Sequence, residues 1–516
     1  MKLVNIKSAL AALLLITAVT SCDMDDFGDI NLTPNNPSTA PTSMLFTEAA
    51  MYVRNFTWGG STTYDPWMAE WSGYIAEGKN NQFGGMTTTV TFSSDSYYLY
   101  PIKNLNMIIS LNEDESTKDE SYVASFGSNA NQIAAAKTLR AFFYMSLTDI
   151  LGPIVCSEAV MGDEGTFYPV YDSQESVYAF IDSDLRQAYG QFETSGSLDG
   201  SYDIFFGGDI SKWKKFNATV RMMAAIKLSD VAPSDGQSRF AQAYNDGGME
   251  SNSDSFNYTF DSKTAYSWMY YTGNLGYSGR GLNYGPNAIF VNALKEHNDP
   301  RVFTYLTIGN DSYYGVRAGD PNDINSYFGI TFGLESNAAV DAEKNLAAAV
   351  ASKYCEMDAT YGIITAARAK LVEAEAATLG WISADANTLY QQGIALSFEE
   401  QGAEGLDGYL AQDIVKLSSD KQSALEQIVM QRFLAGFLTD GIEAWSDWRR
   451  YDVPEMPVTA YQISEGRNSY PYRMGYGDNE KSYNTANVQD AINKAFGGAD
   501  NIFSRVWWDV KDNKQY

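Results

Sequence analysis

Apolar residues recur at three- and four-residue steps along much of this chain, and this spacing predicts amphipathic α-helices. The clearest case runs from Asn131 to Leu151, where the apolar side chains share a helical face and Gly152-Pro153 then ends the helix. A second helix is predicted to start with Ser43 as N-cap and to end near Phe56. The same spacing predicts further helices over residues 64–77, 96–111, 173–193, 209–231, 286–297, 360–379, 384–400 and 419–438.

Other parts of the chain break this spacing. Alternation typical of strands is confined to short pieces, such as Thr87–Phe92 and Val302–Ile308. Residues 232–285 are rich in Gly, Ser, Asn, Asp and Tyr and predict a long loop region. The helix over 419–438 is predicted to stop at Asp440-Gly441. The pattern therefore predicts a mainly α protein of helix pairs, with long loop insertions and minor short strands.

The N-terminus has the layout of an export signal followed by a cysteine. Lys2 and Lys7 precede an apolar run from Ala9 to Val19, which is shorter than the roughly 20 residues of a membrane-spanning helix. Small or branched residues stand directly before Cys22, as in a bacterial lipoprotein. We therefore expect a signal peptide over 1–21, an acyl chain on Cys22 that enters the outer-membrane lipid, and an acidic, Asn- and Pro-rich tether over 22–42.

Charge and composition exclude several classes of function. The 516 residues carry a net charge of −28, which argues against a nucleic acid as partner because a phosphate backbone requires a basic surface. The single histidine, His297, leaves zinc, haem and imidazole-based triads almost without ligands. Apart from Cys22 there are only Cys156 and Cys355. They either pair or, as the apolar Ile154-Val155 before Cys156 suggests, include a buried free thiol.

Aromatic residues provide the candidate binding groups. The chain has 35 Tyr and 10 Trp, whose rings stack on the C–H faces of sugars while Asn, Asp or Arg side chains bind the hydroxyl groups. Rings alternate with Asn, Gly and Ser in two segments, residues 58–98 and 268–284. The ligand-binding candidates are Trp58, Tyr64, Asn80, Asn81, Trp268, Tyr270, Tyr271, Tyr277, Arg280 and Tyr284.

Several segments together resemble the SusD/RagB family of outer-membrane lipoproteins. They are FGDINLTPNNPSTA, KTLRAFFYMSLTDILGPIVCSEA, WKKFNATVRMMAAIKLSDV, HNDPRVFTYL, IVMQRFLAGFLTDGIEAWSDWRRYDVPEMP and SRVWWD, which follow one another from residue 27 to 509. The chain departs from the family at Leu151-Gly152-Pro153, and it has Cys156 where the family often has a tyrosine.

This resemblance implies a superhelical scaffold of tetratricopeptide-like helix pairs over residues 43–516, with loop insertions that carry the ligand site. It also implies a partner, a SusC-type TonB-dependent outer-membrane barrel that the lipoprotein covers as a lid. Asp23, Asp25 and Asp26 are similar to the signals that send such lipoproteins to the cell exterior. A solvated, flexible tether explains the same three residues.

Two short strings and one arginine favour a structural over a functional interpretation. In Glu443–Arg450 (EAWSDWRR), the two indoles are expected to pack at a helix end and the arginines to pair with Glu443 or Asp447. Arg140 is expected in a buried ion pair. Asp320–Asn325 has the oxygens for calcium but lacks a bidentate Glu at the usual spacing, so it predicts a turn.

The sequence thus predicts a non-enzymatic, lipid-anchored surface protein that binds oligosaccharides by aromatic stacking and passes them to a transporter. No metal or cofactor is predicted. Oligopeptide capture is the nearest alternative, because rings also hold peptide side chains. A surface glycan-degrading enzyme is a further alternative, since 64 acidic residues guarantee chance carboxylate pairs.

Overall fold

Helices make up most of the described chain. The computed structural model describes residues 40–56, 67–77, 91–261, 284–311, 315–317, 319–331, 343, 346–354, 356–438, 441–456 and 470–510. Its helices are α1 (Thr42–Met51), α2 (Trp67–Trp71), α3 (Asp95–Tyr97), α4 (Lys103–Glu113), α5 (Ser121–Ala124), α6 (Asn129–Leu151), α7 (Gln174–Gln191), α8 (Ile210–Ile226), α9 (Pro233–Asp246), α10 (Ala288–Glu296), α11 (Val302–Tyr305), α12 (Ala366–Leu379), α13 (Ala386–Gln401), α14 (Leu406–Leu410), α15 (Lys421–Ala435), α16 (Gly441–Tyr451), α17 (Asp478–Tyr483) and α18 (Thr485–Phe496). Among the described residues, no helix combines the length and the apolar character needed to span a membrane.

The described strands are short and pair two by two. They are β1 (Ile75–Glu77), β2 (Thr91–Phe92), β3 (Phe256–Thr259), β4 (Tyr284–Pro286), β5 (Leu306–Thr307), β6 (Gly309–Asp311), β7 (Gly315–Arg317), β8 (Ala349–Val350), β9 (Thr360–Ile364) and β10 (Gly475–Tyr476). The antiparallel pairs are β1–β4, β3–β9, β5–β8 and β6–β7, whereas β2 and β10 run parallel. Four of these five pairs join segments far apart in sequence, so the strands fasten loops to the helical body.

Helix α6 is the centre of the core and confirms the clearest sequence prediction. The Ser128 hydroxyl accepts a hydrogen bond from the backbone N–H of Asn131, and almost every residue from there to Leu151 is buried. Gly152 then ends the helix with a φ of +87°, a conformation that glycine adopts without a steric penalty. A helix buried on all sides needs neighbours on all sides, and it contacts α4, α7, α8 and α16.

Consecutive helices pack against each other in pairs, α6 with α7, α8 with α9 and α12 with α13. One hydrophobic cluster extends from Leu45 in α1 to Trp508 near the C-terminus. A smaller cluster joins α12 and α13 to α14 and α15, with Phe398 and Tyr409 in contact. The predicted helices 173–193, 209–231, 286–297, 384–400 and 419–438 are confirmed, with ends that differ from the prediction by up to five residues.

Several predicted boundaries are wrong. Ser43 lies inside α1 rather than at its N-cap, because Pro41 directly precedes the helix, and residues 52–56 form a 3₁₀ turn. Of the predicted helix 64–77 the structure describes residues 67–77, and among these only α2 is helical. Gly73 turns the chain with a φ of +83°, and Ile75–Glu77 pairs with β4 instead.

Other errors have similar causes. Residues 360–364 form strand β9, since pairing with β3 outweighs local helix propensity. Residues 302–305 are helical, and only the last part of the predicted strand is extended. Helix α9 lies within the predicted loop 232–285. It starts at Pro233 and buries only Gly236, Phe240 and Ala243, so its apolar signal is weak.

The end of α15 also differs from the prediction. This helix stops at Ala435 rather than at Asp440-Gly441, and Gly436 caps it. Gly441 instead begins α16.

Candidate functional site

Strands β1 and β4 bring together the two ring-rich segments that were predicted to bind ligand. Their antiparallel register pairs Ile75 with Pro286, Ala76 with Gly285 and Glu77 with Tyr284. Residues 78–90 follow directly after Glu77, and residues 262–283 end directly before Tyr284. Residues 78–90 and 262–283 are about 200 positions apart in sequence. They are nevertheless connected to neighbouring positions of one strand pair, Glu77 and Tyr284.

Most of the predicted ligand-binding residues lie outside the described residues. These are Trp58, Tyr64, Asn80, Asn81, Trp268, Tyr270, Tyr271, Tyr277 and Arg280, and Cys22 lies outside them as well. Tyr284 has its backbone in β4, paired with Glu77. The structure thus places Ile75–Glu77 of the first segment beside Tyr284 at the end of the second, and the contacts of their rings remain a prediction.

Asn287 fixes the strand pair to the helical body. Its side-chain Nδ2 donates to the carbonyl of Ile75 at 3.1 Å, and its backbone N–H donates to the carbonyl of Tyr74 at 2.9 Å. Its Oδ1 accepts from the backbone N–H of Ile289 at 2.9 Å and so caps α10. One fully buried side chain therefore links β1, β4 and a helix start. An Asn before an apolar run signals the cap, but nothing local signals the bond to β1.

Stacked rings lie beneath this strand pair. The Tyr74 ring stacks on Phe433 with centroids 4.9 Å apart, and Phe290 stacks on Phe437 at 4.4 Å. The Tyr74 hydroxyl donates to the carbonyl of Phe433 at 2.9 Å. Burial raises the pKa of Tyr74, so the phenol stays neutral and keeps this donor. The base of the strand pair is therefore rigid core, in contrast to an ordinary exposed hairpin.

Further chain segments adjoin the same place. Helix α2, which follows residues 57–66, contacts α16. A Cβ built on Gly73 would lie 2.9 Å from the terminal carbon of Met456, so this glycine permits close contact with the residue that precedes 457–469. We call α2, β1, β4 and Asn287 the loop platform, because the segments 57–66, 78–90, 262–283 and 457–469 all begin or end at it or at its neighbour Met456.

The string Glu443–Arg450 lies in α16 and packs in the core, as predicted. Its arginines pair only in part as expected, because Arg449 donates to the backbone carbonyls of Asp149 and Tyr472, and the carboxylate nearest to Arg450 is that of Glu375, with that of Asp447 at 3.8 Å. Trp445 and Trp448 are fully buried, and the Trp445 indole N–H donates to the carbonyl of Pro471 at 3.0 Å. The Arg449 guanidinium lies 3.9 Å from the Trp445 ring centroid. A ligand has no access to side chains packed in this way.

Buried carboxylates pair with Arg450 in α16 and with Arg368 and Arg432 beside it. Glu375 forms ion pairs with Arg432 and Arg450, and Asp447 forms them with Arg368 and Arg432. Burial by itself would raise the pKa of Glu375. The two guanidinium groups outweigh burial and lower it to about 2, so the carboxylate stays charged.

A second buried group of charges centres on Lys227. Its Nζ lies 2.6 Å from a carboxylate oxygen of Asp149 and 2.6 Å from one of Glu443. Asp149 also accepts from the Tyr178 hydroxyl at 2.6 Å and from the Trp508 indole N–H at 2.9 Å. These bonds tie α6, α7, α8, α16 and the C-terminal segment together. We call this the Lys227 cluster.

The predictions for Arg140 and for Asp320–Asn325 are confirmed. Arg140 forms a bidentate ion pair with Asp184, at 2.7 Å for the shortest contact, and this pair is largely buried. Asp320 and Asp323 accept hydrogen bonds from backbone N–H groups two residues further on, which is a turn. Cys156 is a buried free thiol, and Cys355 lies outside the described residues. Within the described ranges, no group of three or more His, Cys, Asp or Glu is arranged to hold a metal ion.

Comparison with known proteins identifies the family and the fold of this chain. Residues 34–477 match the SusD-like family described as "Starch-binding associating with outer membrane". A SusD homologue from Bacteroides fragilis is 21% identical with a TM-score of 0.76, and the match covers 91% of this chain and 99% of that one. A SusD homologue from Bacteroides uniformis is 22% identical with a TM-score of 0.73, covering 92% and 100%.

A chitin-binding SusD homologue from Flavobacterium johnsoniae is 23% identical with a TM-score of 0.69, covering 91% of this chain and 99% of that one. Among curated proteins, none matches this sequence. The likeness to these structures confirms the mainly helical, tetratricopeptide-like fold, because it extends over nearly the whole of each chain.

Proposed function

Because this chain belongs to the SusD-like family, whose members associate with the outer membrane, we propose that it binds oligosaccharides at the loop platform and passes them to a SusC-type TonB-dependent barrel. The observation that supports this proposal most is the β1–β4 pair. It pairs Glu77, after which residues 78–90 follow, with Tyr284, which residues 262–283 precede, and this supports our proposal that rings from both segments serve one binding surface.

Binding would combine stacking with polar selection. Trp268, Tyr270, Tyr271, Tyr277 and Tyr284 offer ring faces, together with Trp58 and Tyr64 from the earlier segment. Asn80, Asn81 and Arg280 would select the arrangement of hydroxyl groups. A neutral glycan suits a chain of net charge −28, and a relative of similar fold is chitin-binding. The protein would bind and release its ligand without breaking a bond.

The N-terminus supplies the second part of the proposal. Removal of residues 1–21 would leave Cys22 acylated in the outer membrane, and residues 22–42 would tether the helical domain over 43–516 at the cell exterior. Confinement beside the barrel raises the effective concentration of captured ligand there. Anchoring therefore contributes to uptake and not to affinity.

Substitution of the anchor separates these contributions. We expect Cys22→Ala to leave the affinity of the purified protein for its glycan unchanged and to impair glycan uptake by cells. Uptake at the wild-type rate in cells that carry Cys22→Ala would refute the role of the anchor.

The ligand class is tested with a glycan and peptide array on the chain that lacks residues 1–22. The proposal expects binding to neutral oligosaccharides and no release of reducing ends. Selective retention of peptides would favour the oligopeptide alternative. Reducing ends that a single Asp or Glu substitution abolishes would show an enzyme instead. Isolation of the intact protein from cells, followed by identification of the co-purifying barrel, tests the partner.

A further inference from the structure

A cavity of about 300 Å³ lies between the start of α7, the end of α18 and the C-terminal segment. Its volume is at the lower end of the range for small-molecule pockets, about 300–1,000 Å³. It is lined by Pro153, Tyr171, Gln174, Phe496, Arg505 and Trp507, among others. None of these residues belongs to the loop platform, so the cavity is separate from the surface discussed above.

Two of its aromatic walls are held in place before any ligand enters. The Phe496 ring lies under the Arg473 guanidinium at 4.0 Å, and a Cβ on Gly152 would lie 2.8 Å from it. The Tyr171 hydroxyl donates to a carboxylate oxygen of Glu480 at 3.0 Å. Rings fixed in this way lose little conformational entropy when a ligand stacks on them.

Trp507 completes the apolar lining. Its ring packs against Tyr178 with centroids 6.1 Å apart, and the residue is only half-buried. By contrast, the next residue, Trp508, is fully buried and bonded to Asp149. Of these two adjacent indoles, Trp507 therefore has surface left for a ligand.

Gln174 adds a buried polar group to the lining. It is only 2% exposed, and its Nε2 donates to the carbonyl of Thr148 at 2.7 Å. In the part of the chain that the structure describes, its Oε1 has no hydrogen-bond donor. A buried acceptor without a partner costs about 1–3 kcal/mol, and a ligand hydroxyl group could supply the missing donor once the Gln174 side chain moves to expose Oε1, which is inaccessible in this structure.

Each of the two basic side chains that line the cavity is paired with a carboxylate. Arg505 pairs with Asp509 at 2.6 Å, and Lys494 pairs with Asp490 at 2.6 Å. Glu175 is exposed at the start of α7 and contributes a further negative charge to the lining. No excess positive charge is left to attract an anion, so the chemistry favours a neutral ligand with apolar faces and hydroxyl donors.

We propose that this cavity binds a single neutral sugar ring, stacked on Trp507 and Phe496 and donating a hydroxyl hydrogen bond towards Gln174. This site is independent of the proposed function, since it shares no residue with the loop platform. It would accept either a free monosaccharide or the end residue of a longer glycan, because the recognised chemistry is the same.

Titration calorimetry with glucose and with maltose tests the proposal, using the mature chain from residue 22 with Cys22→Ala. Wild-type binding is expected for both sugars, and Trp507→Ala should weaken it about tenfold or more. Trp507→Phe keeps a ring and should stay within about threefold of wild type. Tyr483→Ala removes a side chain that is 77% exposed and lies outside the cavity, so it should change nothing.

Two further variants keep the test decisive. Ala495→Trp places a large ring in the lining without removing a core contact, and it should abolish binding even if Trp507→Ala fails to fold. The triple variant Trp268→Ala, Tyr277→Ala, Tyr284→Ala should keep glucose binding at this cavity, which separates the two sites. No glucose binding by the wild type, unchanged binding in Ala495→Trp, or tighter binding of glucuronate than of glucose would overturn the proposal.

Discussion

Two regions of this molecule contain the same residue types, and we assign them opposite purposes, core packing in one and ligand binding in the other. The string Glu443–Arg450 in α16 contains two Trp and two Arg, and all of them are buried among partners. The ring-rich segments 58–98 and 268–284 contain the same types among Gly, Ser and Asn, and they adjoin a short strand pair at the surface of a rigid ring cluster.

The difference teaches that composition alone does not identify a binding site. An indole or guanidinium whose contacts are already filled by the protein, such as Trp445 between Arg449 and Pro471, has nothing left for a ligand. Trp507 and Trp508 repeat this contrast in adjacent positions. The following predictions test whether the two regions really differ in this way.

The largest effect is expected when the Lys227 cluster loses its cation. Lys227→Met leaves Asp149 and Glu443 buried without their ammonium partner, and a broken buried ion pair costs about 3–5 kcal/mol. Urea denaturation should show this loss in the free energy of unfolding. The matched control is Lys416→Met, whose pair with Asp413 is exposed to solvent and should contribute little to the free energy of unfolding. Equal effects in the two variants would contradict a structural role for the cluster.

A loss of stability of similar size is expected when Trp445 is replaced, but not when Trp268 is replaced. Trp445→Ala removes a fully buried indole and should lower the free energy of unfolding by about 3–5 kcal/mol. Trp268→Ala should change stability by less than about 0.5 kcal/mol but weaken oligosaccharide binding. Thermal unfolding and calorimetry on both variants measure this. A stability loss in Trp268→Ala as large as that in Trp445→Ala would assign both residues to the core.

A smaller effect on stability is expected from Glu400, a largely buried carboxyl group. Burial raises the pKa of Glu400 to about 7, and its Oε2 has no hydrogen-bond partner within the described residues. Because the native state holds the proton more tightly than the unfolded chain, stability is lost as pH rises from about 4.5 through 7.

Glu400→Gln should therefore raise the free energy of unfolding by about 1–3 kcal/mol at pH 8 and by almost nothing at pH 5. Urea denaturation at the two pH values measures the change. A gain of equal size at both pH values would show that ionisation of Glu400 is not the cause.

The sequence predicted the elements whose signal is local. Helix α6 follows from its apolar spacing and from Gly152-Pro153, and the ion pair of Arg140 follows from a charge within an apolar helix. The structural role of Glu443–Arg450 could be predicted because the string belongs to a helical framework. Helix α9 was missed, since only three of its residues are buried and the rest read as a loop.

Long-range pairing could not be predicted in this way. Nothing around Ile75 indicates that it pairs with Pro286, and tertiary contacts there override the helical spacing that continues from Trp67. The bond from Asn287 to Ile75 is equally non-local. The sequence named the residues of the candidate site, whereas the structure adds that the two segments carrying them are paired at Glu77 and Tyr284.

Calorimetric titration of the mature chain with the oligosaccharide that the array selects tests the central claim most directly. The wild type is compared with the triple variant Trp268→Ala, Tyr277→Ala, Tyr284→Ala, both carrying Cys22→Ala. We predict at least a tenfold loss of affinity in the triple variant, at an unfolding temperature equal to that of the wild type. Equal affinity in the two proteins would contradict the account and place oligosaccharide binding elsewhere on the molecule.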